Sequence, residues 1–184
     1  MAQEDIGEKK TPQFVGYELY IMRHGIAVTR GATGIGDDAK RPLTPVGKKK
    51  MEEIAQGLAV LGIEIDWIVT SPLVRAVETA GIIADSRGGN IPLDFSDALR
   101  PGGSPETLIS FLAKHPQRKR VLVIGHEPDL SDMARRLIGA GRNARLAFKK
   151  GGCCLIHFNE FPPKSPGELL WWLTPRVMRR LGSK

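Results

Sequence analysis

Two histidines in this chain stand where an apolar run stops abruptly. Leu19-Tyr20-Ile21-Met22 runs into Arg23-His24-Gly25, and Val121-Leu122-Val123-Ile124 runs into Gly125-His126-Glu127-Pro128. An imidazole at such a place can act as a nucleophile, a metal ligand or a proton carrier. Arg75 adds a third element, because it falls in the first turn of a helix opened by Ser71-Pro72. Free backbone N–H groups and the positive end of the helix dipole favour an anion there, and a guanidinium strengthens the preference. The set Arg23, His24, Arg75 and His126 is rich in cations and poor in carboxylates. A divalent metal wants three or more His, Cys or carboxylate ligands and is repelled by a nearby guanidinium, so no metal is expected. A dianionic phosphoryl group suits the set better. Arginine forks hold its equatorial oxygens while a neutral imidazole nitrogen attacks phosphorus in line.

Such groups must be delivered by rigid elements. Both apolar runs read as buried strands, the second buried on both faces, and α/β folds place their chemistry at the C-terminal edge of such strands. Ile65 to Thr70 is a further β-branched strand, and Ile91 to Phe95 with its Pro92 suits a sheet edge. Thr44-Pro45, Ser71-Pro72, Ser104-Pro105 and Thr174-Pro175 each pair a capping hydroxyl with proline at the first helical position. Met51, Ile54, Leu58 and Leu61 recur at helical spacing before Gly62. The next helix should bury Leu73, Val77, Ala80 and Ile83 or Ala84, and later ones carry Leu108, Phe111 and Leu112, then Met133, Leu137 and Ile138. Cys153 to Phe158 and Glu168 to Leu173 have only a Pro- and Gly-bearing loop between them, which predicts an antiparallel hairpin. The expected fold is a single α/β domain: a mixed, mostly parallel central sheet flanked by helices on both faces.

With 184 residues, 41% hydrophobic and 26% charged, the chain suits one soluble domain over residues 16–184 behind a loosely ordered polar tail, 1–15. The start lacks the apolar core of a signal peptide and no apolar run could span a bilayer, so a cytoplasmic protein without a membrane partner is expected. Adjacent Cys153 and Cys154 should face opposite sides of a strand as reduced core residues. His115 and His157 match no motif and read as structural. The net charge of +7 owes much to Lys48-Lys49-Lys50 and to the segment from Arg176 to Lys184. These suit solvated helix faces better than a binding stripe, and without an accompanying nucleic-acid module no nucleic acid is expected. The basic last helix could equally pack on another subunit, which leaves the oligomeric state open. Gly31, Gly34 and Gly36, between Thr29 and Arg41, lack dinucleotide-binding spacing and suit a flexible rim, so no cofactor is expected.

Four blocks carry a resemblance. Leu19 to Gly25 with its Arg-His-Gly, Arg41 to Gly47, Ser71 to Thr79 and Val123 to Pro128 are similar, in that order, to the motifs of the histidine phosphatase (phosphoglycerate mutase-like) superfamily, and look like its small SixA-type phosphohistidine phosphatase branch. The resemblance implies that His24 is the nucleophile that becomes phosphohistidine. Arg23, Arg75 and His126 would complete the phosphate pocket, with Arg41 a further contact. His126, if protonated, would stabilise equatorial charge. His24 must stay neutral, its other ring nitrogen donating to a backbone carbonyl that fixes the tautomer. Gly25, lacking Cβ, would let backbone and phosphate approach closely.

Larger relatives use an acidic residue to protonate an alcohol leaving group. Asp38, Glu106 and Glu127 are the candidates here, each with a plainer role as loop, first-turn or strand-to-helix carboxylate. A phosphohistidine substrate relaxes the need, because imidazole, with a conjugate-acid pKa of about 6.5, departs far more readily than an alkoxide. The short stretch between Phe95 and Val121 leaves no room for a large lid, so the pocket should be open to a phosphorylated protein such as a histidine phosphotransfer domain. A small phosphorylated substrate of a phosphomonoesterase is the same-mechanism alternative, and an inactive phosphate-binding module the different-class one.

Overall fold

A computed structural model describes residues 16–31 and 36–183. The expected tail 1–15, Gly34 and Lys184 lie outside the described residues. Six strands form one sheet: β1 (Tyr17–Arg23), β2 (Trp67–Thr70), β3 (Leu93–Phe95), β4 (Arg120–Gly125), β5 (Cys153–Phe158) and β6 (Glu168–Leu173), in the order β3-β2-β4-β1-β5-β6. The first four are mutually parallel, with β1 and β2 both pairing with β4 and β3 at the edge beside β2. The β5-β6 hairpin closes the other side, β5 running antiparallel to β1.

Side-chain alternation divides the core into two layers. Tyr20, Met22, Leu122, Ile124 and Cys153 face one side; Leu19, Ile21, Val121, Val123 and Cys154 face the other. The two thiols are free and buried, back to back across the sheet. Helices α1 (Pro45–Val60), α2 (Val74–Asp85) and α5 (Pro175–Gly182) cover the first side, through Met51, Ile54, Leu58, Ala76, Ala80, Ile83 and Met178. Helices α3 (Pro105–Leu112) and α4 (Asp129–Leu137) cover the second with Leu108, Leu112, Leu130 and Met133. His115 packs on Trp67, with ring centroids 4.6 Å apart.

Local chemistry starts the helices largely as the sequence suggests. Thr44 accepts from the Gly47 amide and Ser104 from the Thr107 amide, each ahead of a proline. Ser71-Pro72 is different. Helix α2 begins only at Val74, Leu73 is its N-cap, and no side chain caps it. Ser71 is buried at the end of β2, with its hydroxyl turned to His126. Arg75 and Thr79 share the buried stripe of α2 with its alanines, whereas Val77 is only partly covered.

The basic last helix packs on its own chain. A Cβ on Gly57 of α1 would stand 2.0 Å from the Met178 carbonyl oxygen of α5, and one on Gly182 would stand 2.2 Å from the Glu53 oxygen. The two helices therefore approach backbone to backbone. Gly57→Ala should cost about 1–3 kcal/mol by overpacking this crossing. In contrast, Gly81→Ala on α2, where an added Cβ meets nothing within 4 Å, should be neutral or stabilising by roughly 0.5–1 kcal/mol. Urea unfolding of both variants measures the difference.

Candidate functional site

The parallel register of the central strands assembles the site. Arg23 pairs with Gly125 and Thr70 with Ile124, so the chain leaves three adjacent strands at one level and presents His24, His126 and Ser71 at the same sheet edge. The backbone holds the level past the last pairs: His24 N–H donates to the Gly125 carbonyl, and Ser71 N–H to that of Ile124. The imidazoles of His24 and His126 lie 5.0 Å apart, 6% and 4% exposed.

His24 Nδ1 is 2.7 Å from its neighbour's carbonyl oxygen, on Gly25. With the proton on Nδ1, that bond fixes the ring and leaves the Nε2 lone pair for chemistry. Arg75 Nε lies 3.3 Å from that Nε2. Burial is the main reason the His24 pKa falls to about 3, and His126 and the arginines add to it. His126 falls to about 4, again chiefly by burial and then by Arg75. Burial thus favours the neutral form of the imidazole that the sequence suggests could carry charge. Its Nε2 is 2.9 Å from Ser71 Oγ, while Nδ1 is buried without a hydrogen-bond partner among the described residues, as is Arg23 Nε. Arg23 is anchored through Nη1, which donates to the Phe148 carbonyl at 2.8 Å.

Three guanidinium groups converge on Asp38. Arg30 Nε and Arg41 Nε each donate to Oδ1 at 2.9 Å, and Arg75 Nη2 to Oδ2 at 3.2 Å. Arg75 Nη1 also donates to the Asp38 carbonyl, and Arg41 Nη1 to that of Val28. Arg30 foremost, then Arg41 and Arg75, hold the Asp38 carboxyl well below the usual carboxylate range. In this arrangement the Asp38 carboxylate balances the three arginines. Glu106 is exposed and bound to Arg136 and Ser104. Glu127 accepts from Ser131 Oγ and from the Phe148 N–H, bracing the segment that anchors Arg23. None of the three offers a free carboxyl to a leaving group.

Gly25 has a packing task beside the one its sequence suggests. A Cβ there would meet Met51 at 2.7 Å and Leu43 at 3.1 Å, so the glycine is required by packing against α1. Its N–H is taken by Thr79 Oγ1 at 3.0 Å and its carbonyl by His24. Thr79 in turn donates to the Arg75 carbonyl at 2.6 Å. Ser71 and Thr79 are the residues that sequence reasoning missed. The signal for Thr79 was a hydroxyl one helical turn beyond Arg75, on the same face; Ser71 resembled a helix cap and was read as one.

The donor set of this edge is two imidazoles among guanidinium groups, and no group of three or more His, Cys, Asp or Glu suited to a metal occurs among the described residues. No helix among those residues is long and apolar enough to cross a membrane.

Comparison with known proteins places this geometry. The family model for the histidine phosphatase superfamily (branch 1) matches residues 19–101. An uncharacterised protein of Picosynechococcus sp. is 39% identical over 138 residues, 73% of this chain and 81% of that protein. A probable phosphoglycerate mutase GpmB of Yersinia enterocolitica is 35% identical over 132 residues, which span 71% of this chain but only 60% of the mutase. Among solved structures, the protein histidine phosphatase SixA complexed with tungstate superposes with a TM-score of 0.72 at 24% identity, covering 86% of this chain and 97% of that one.

The buried neutral imidazoles have a consequence for stability. Their folded pKa values, about 3 and about 4, lie below the unfolded value near 6.5, so the unfolded chain binds more protons in between. Stability should be full above about pH 6.5 and decline as the pH falls towards 4 and below. Melting temperatures of the wild type, His24→Asn and His126→Gln across this range should show a shallower decline in each variant. Equal slopes in all three would mean that the imidazoles are not held neutral.

Proposed function

This chain belongs to the histidine phosphatase superfamily, and from that premise we propose that it is a phosphatase working through a phospho-His24 intermediate, with phosphohistidine on a protein as its substrate. The observation that carries the reading is His24 itself: a buried, neutral imidazole, its Nδ1 tied to the Gly25 carbonyl and its Nε2 beside the Arg75 guanidinium.

In the first step the Nε2 lone pair forms a bond to phosphorus while the bond from phosphorus to the leaving nitrogen breaks, and the departing imidazole takes a proton from solvent. In the second, water attacks phosphorus on the side opposite Nε2. Its oxygen stays in orthophosphate, its proton passes to solvent, and the bonding pair returns to Nε2. Arg23, Arg75 and His126 hold the equatorial oxygens throughout. To do so, Arg75 exchanges part of its pairing with Asp38 for the phosphoryl group. The incoming dianion raises the His126 pKa, so that its imidazole becomes a charged donor when needed. Guanidinium groups thereby supply the charge that a metal provides elsewhere, and the scheme includes no metal step.

Two features favour a phosphohistidine leaving group. Asp38, Glu106 and Glu127 are each engaged by other groups of the fold rather than free to protonate an alkoxide. The chain between β3 and β4 holds only a short 3-10 turn (Asp97–Leu99) and α3, leaving the sheet edge without an inserted lid there. The likeness to a probable phosphoglycerate mutase favours a second reading, a small-molecule phosphomonoesterase.

Brief incubation with labelled substrate, quenched in acid or in base, tests the mechanism. Label on the protein should survive base, be lost in acid and vanish in His24→Ala. Arg75→Ala should lower kcat about 10²–10³-fold, as loss of one charged transition-state donor does. Turnover of a phosphohistidine protein should exceed that of sugar phosphates. The reverse preference would establish the small-molecule reading instead.

A further inference from the structure

Lys50 and Arg176 were expected to face solvent on separate helices. In the fold they converge. A pocket opens beside Gly25 and Ile26, floored by Met51 and Ile54, and its polar lining is Lys50, Lys150, Arg176 and Arg179. Among the described residues no carboxylate lines it. Arg179 is paired with Glu53 on α1. Lys50, Lys150 and Arg176 have no ion-pair partner among the described residues, which leaves three uncompensated cations around one concave space.

The pocket adjoins the phosphoryl site. Gly25 and Ile26 directly follow His24, and the turn bearing Lys150 is fastened to the same backbone: the Gly151 N–H donates to the carbonyls of Arg23 and His24. Partial burial, then the fields of Arg23, Arg41 and Arg75, push the Lys150 ammonium below its usual range, so it belongs electrostatically to the arginine cluster. An anion bound there would relieve repulsion that the fold otherwise leaves standing. The pocket wall is closely packed: a Cβ on Gly47 would stand 2.1 Å from the Ile26 carbonyl oxygen, and one on Gly151, next to Lys150, would stand 2.7 Å from Ile54.

We infer that this pocket is an anion subsite that takes a second negatively charged group of the substrate, a carboxylate or phosphate carried close to the phosphoryl group that His24 accepts. The inference rests on the phosphatase reading and deepens it. For a protein substrate, the matching group is an Asp or Glu side chain flanking the phosphohistidine. For a small molecule, it is a carboxylate within the phosphorylated compound.

Two measurements decide it. The first compares kcat/KM for two phosphohistidine peptides, one flanked by glutamates and one by glutamines, and for a phosphorylated hydroxy acid against its neutral-tailed phosphoester analogue. In the wild type the acidic member of at least one pair should be preferred, and which pair shows it identifies the source of the anion. In Lys150→Ala/Arg176→Ala that preference should fall by roughly three- to tenfold, the worth of two partly exposed ion pairs. In Lys114→Ala/Lys119→Ala, which removes the same charge from the opposite end of the sheet, the preference should persist. The second measurement titrates a hexaglutamate peptide into His24→Ala and into His24→Ala with the Lys150 and Arg176 substitutions. Binding should weaken by a similar factor only with the latter pair, and not when the Lys114 and Lys119 substitutions are added instead. Equal loss with both pairs, or none with either, overturns the subsite. If no substrate is turned over, the phosphatase reading fails, and the titration still decides the subsite alone.

Discussion

The parallel pairing of β1 with β4 is the constraint on which the site depends. A strand offers only one residue at its C-terminal exit, so two imidazoles can meet there only if neighbouring strands run the same way and end at the same level. Pairing of Arg23 with Gly125 meets both conditions. A slip of β1 by one residue would turn Met22 to the wrong core layer and shift His24 from the level of His126 in the same stroke. The register that buries the apolar side chains is therefore the one that aligns the two imidazoles.

Charge is arranged with similar economy. Several cations around two imidazoles would be costly if every group stayed ionised. The histidines give up their protons on burial, and Asp38 spreads one negative charge over Arg30, Arg41 and Arg75. Arg75, 3% exposed, needs such a partner, because a buried guanidinium without a counter-charge is strongly unfavourable. The Asp38 carboxylate supplies that counter-charge from within the fold.

Much of this was legible in the sequence because it rests on local rules. Apolar runs, hydroxyl-proline helix starts and strand-end histidines mark the sheet, most helix boundaries and the imidazole pair. Less legible were roles set by tertiary neighbours. Ser71-Pro72 has the composition of a helix start, yet Ser71 is bound to a ring from another strand, and the helix begins later. Gly25 invites a reading in terms of ligand approach, but Met51, a residue of α1, fills the space a Cβ would need. Asp38 is suited by type to carry a proton, and that Arg30, Arg41 and Arg75 all converge on it is visible only in the fold. Lys50 and Arg176 belong to different helices and share a pocket only because Gly57 lets α5 close on α1.

Thr79 has a mechanical meaning. Its one hydroxyl accepts from the Gly25 amide, next to His24, and donates to the carbonyl of Arg75, the residue whose Nε lies beside His24 Nε2. Reaction geometry depends on the distance between attacking atom and clamp, not on where either sits in the molecule. Thr79 thus ties the residue after His24 to the helical turn that carries Arg75, so the spacing between that imidazole and that guanidinium is set in part by one hydroxyl.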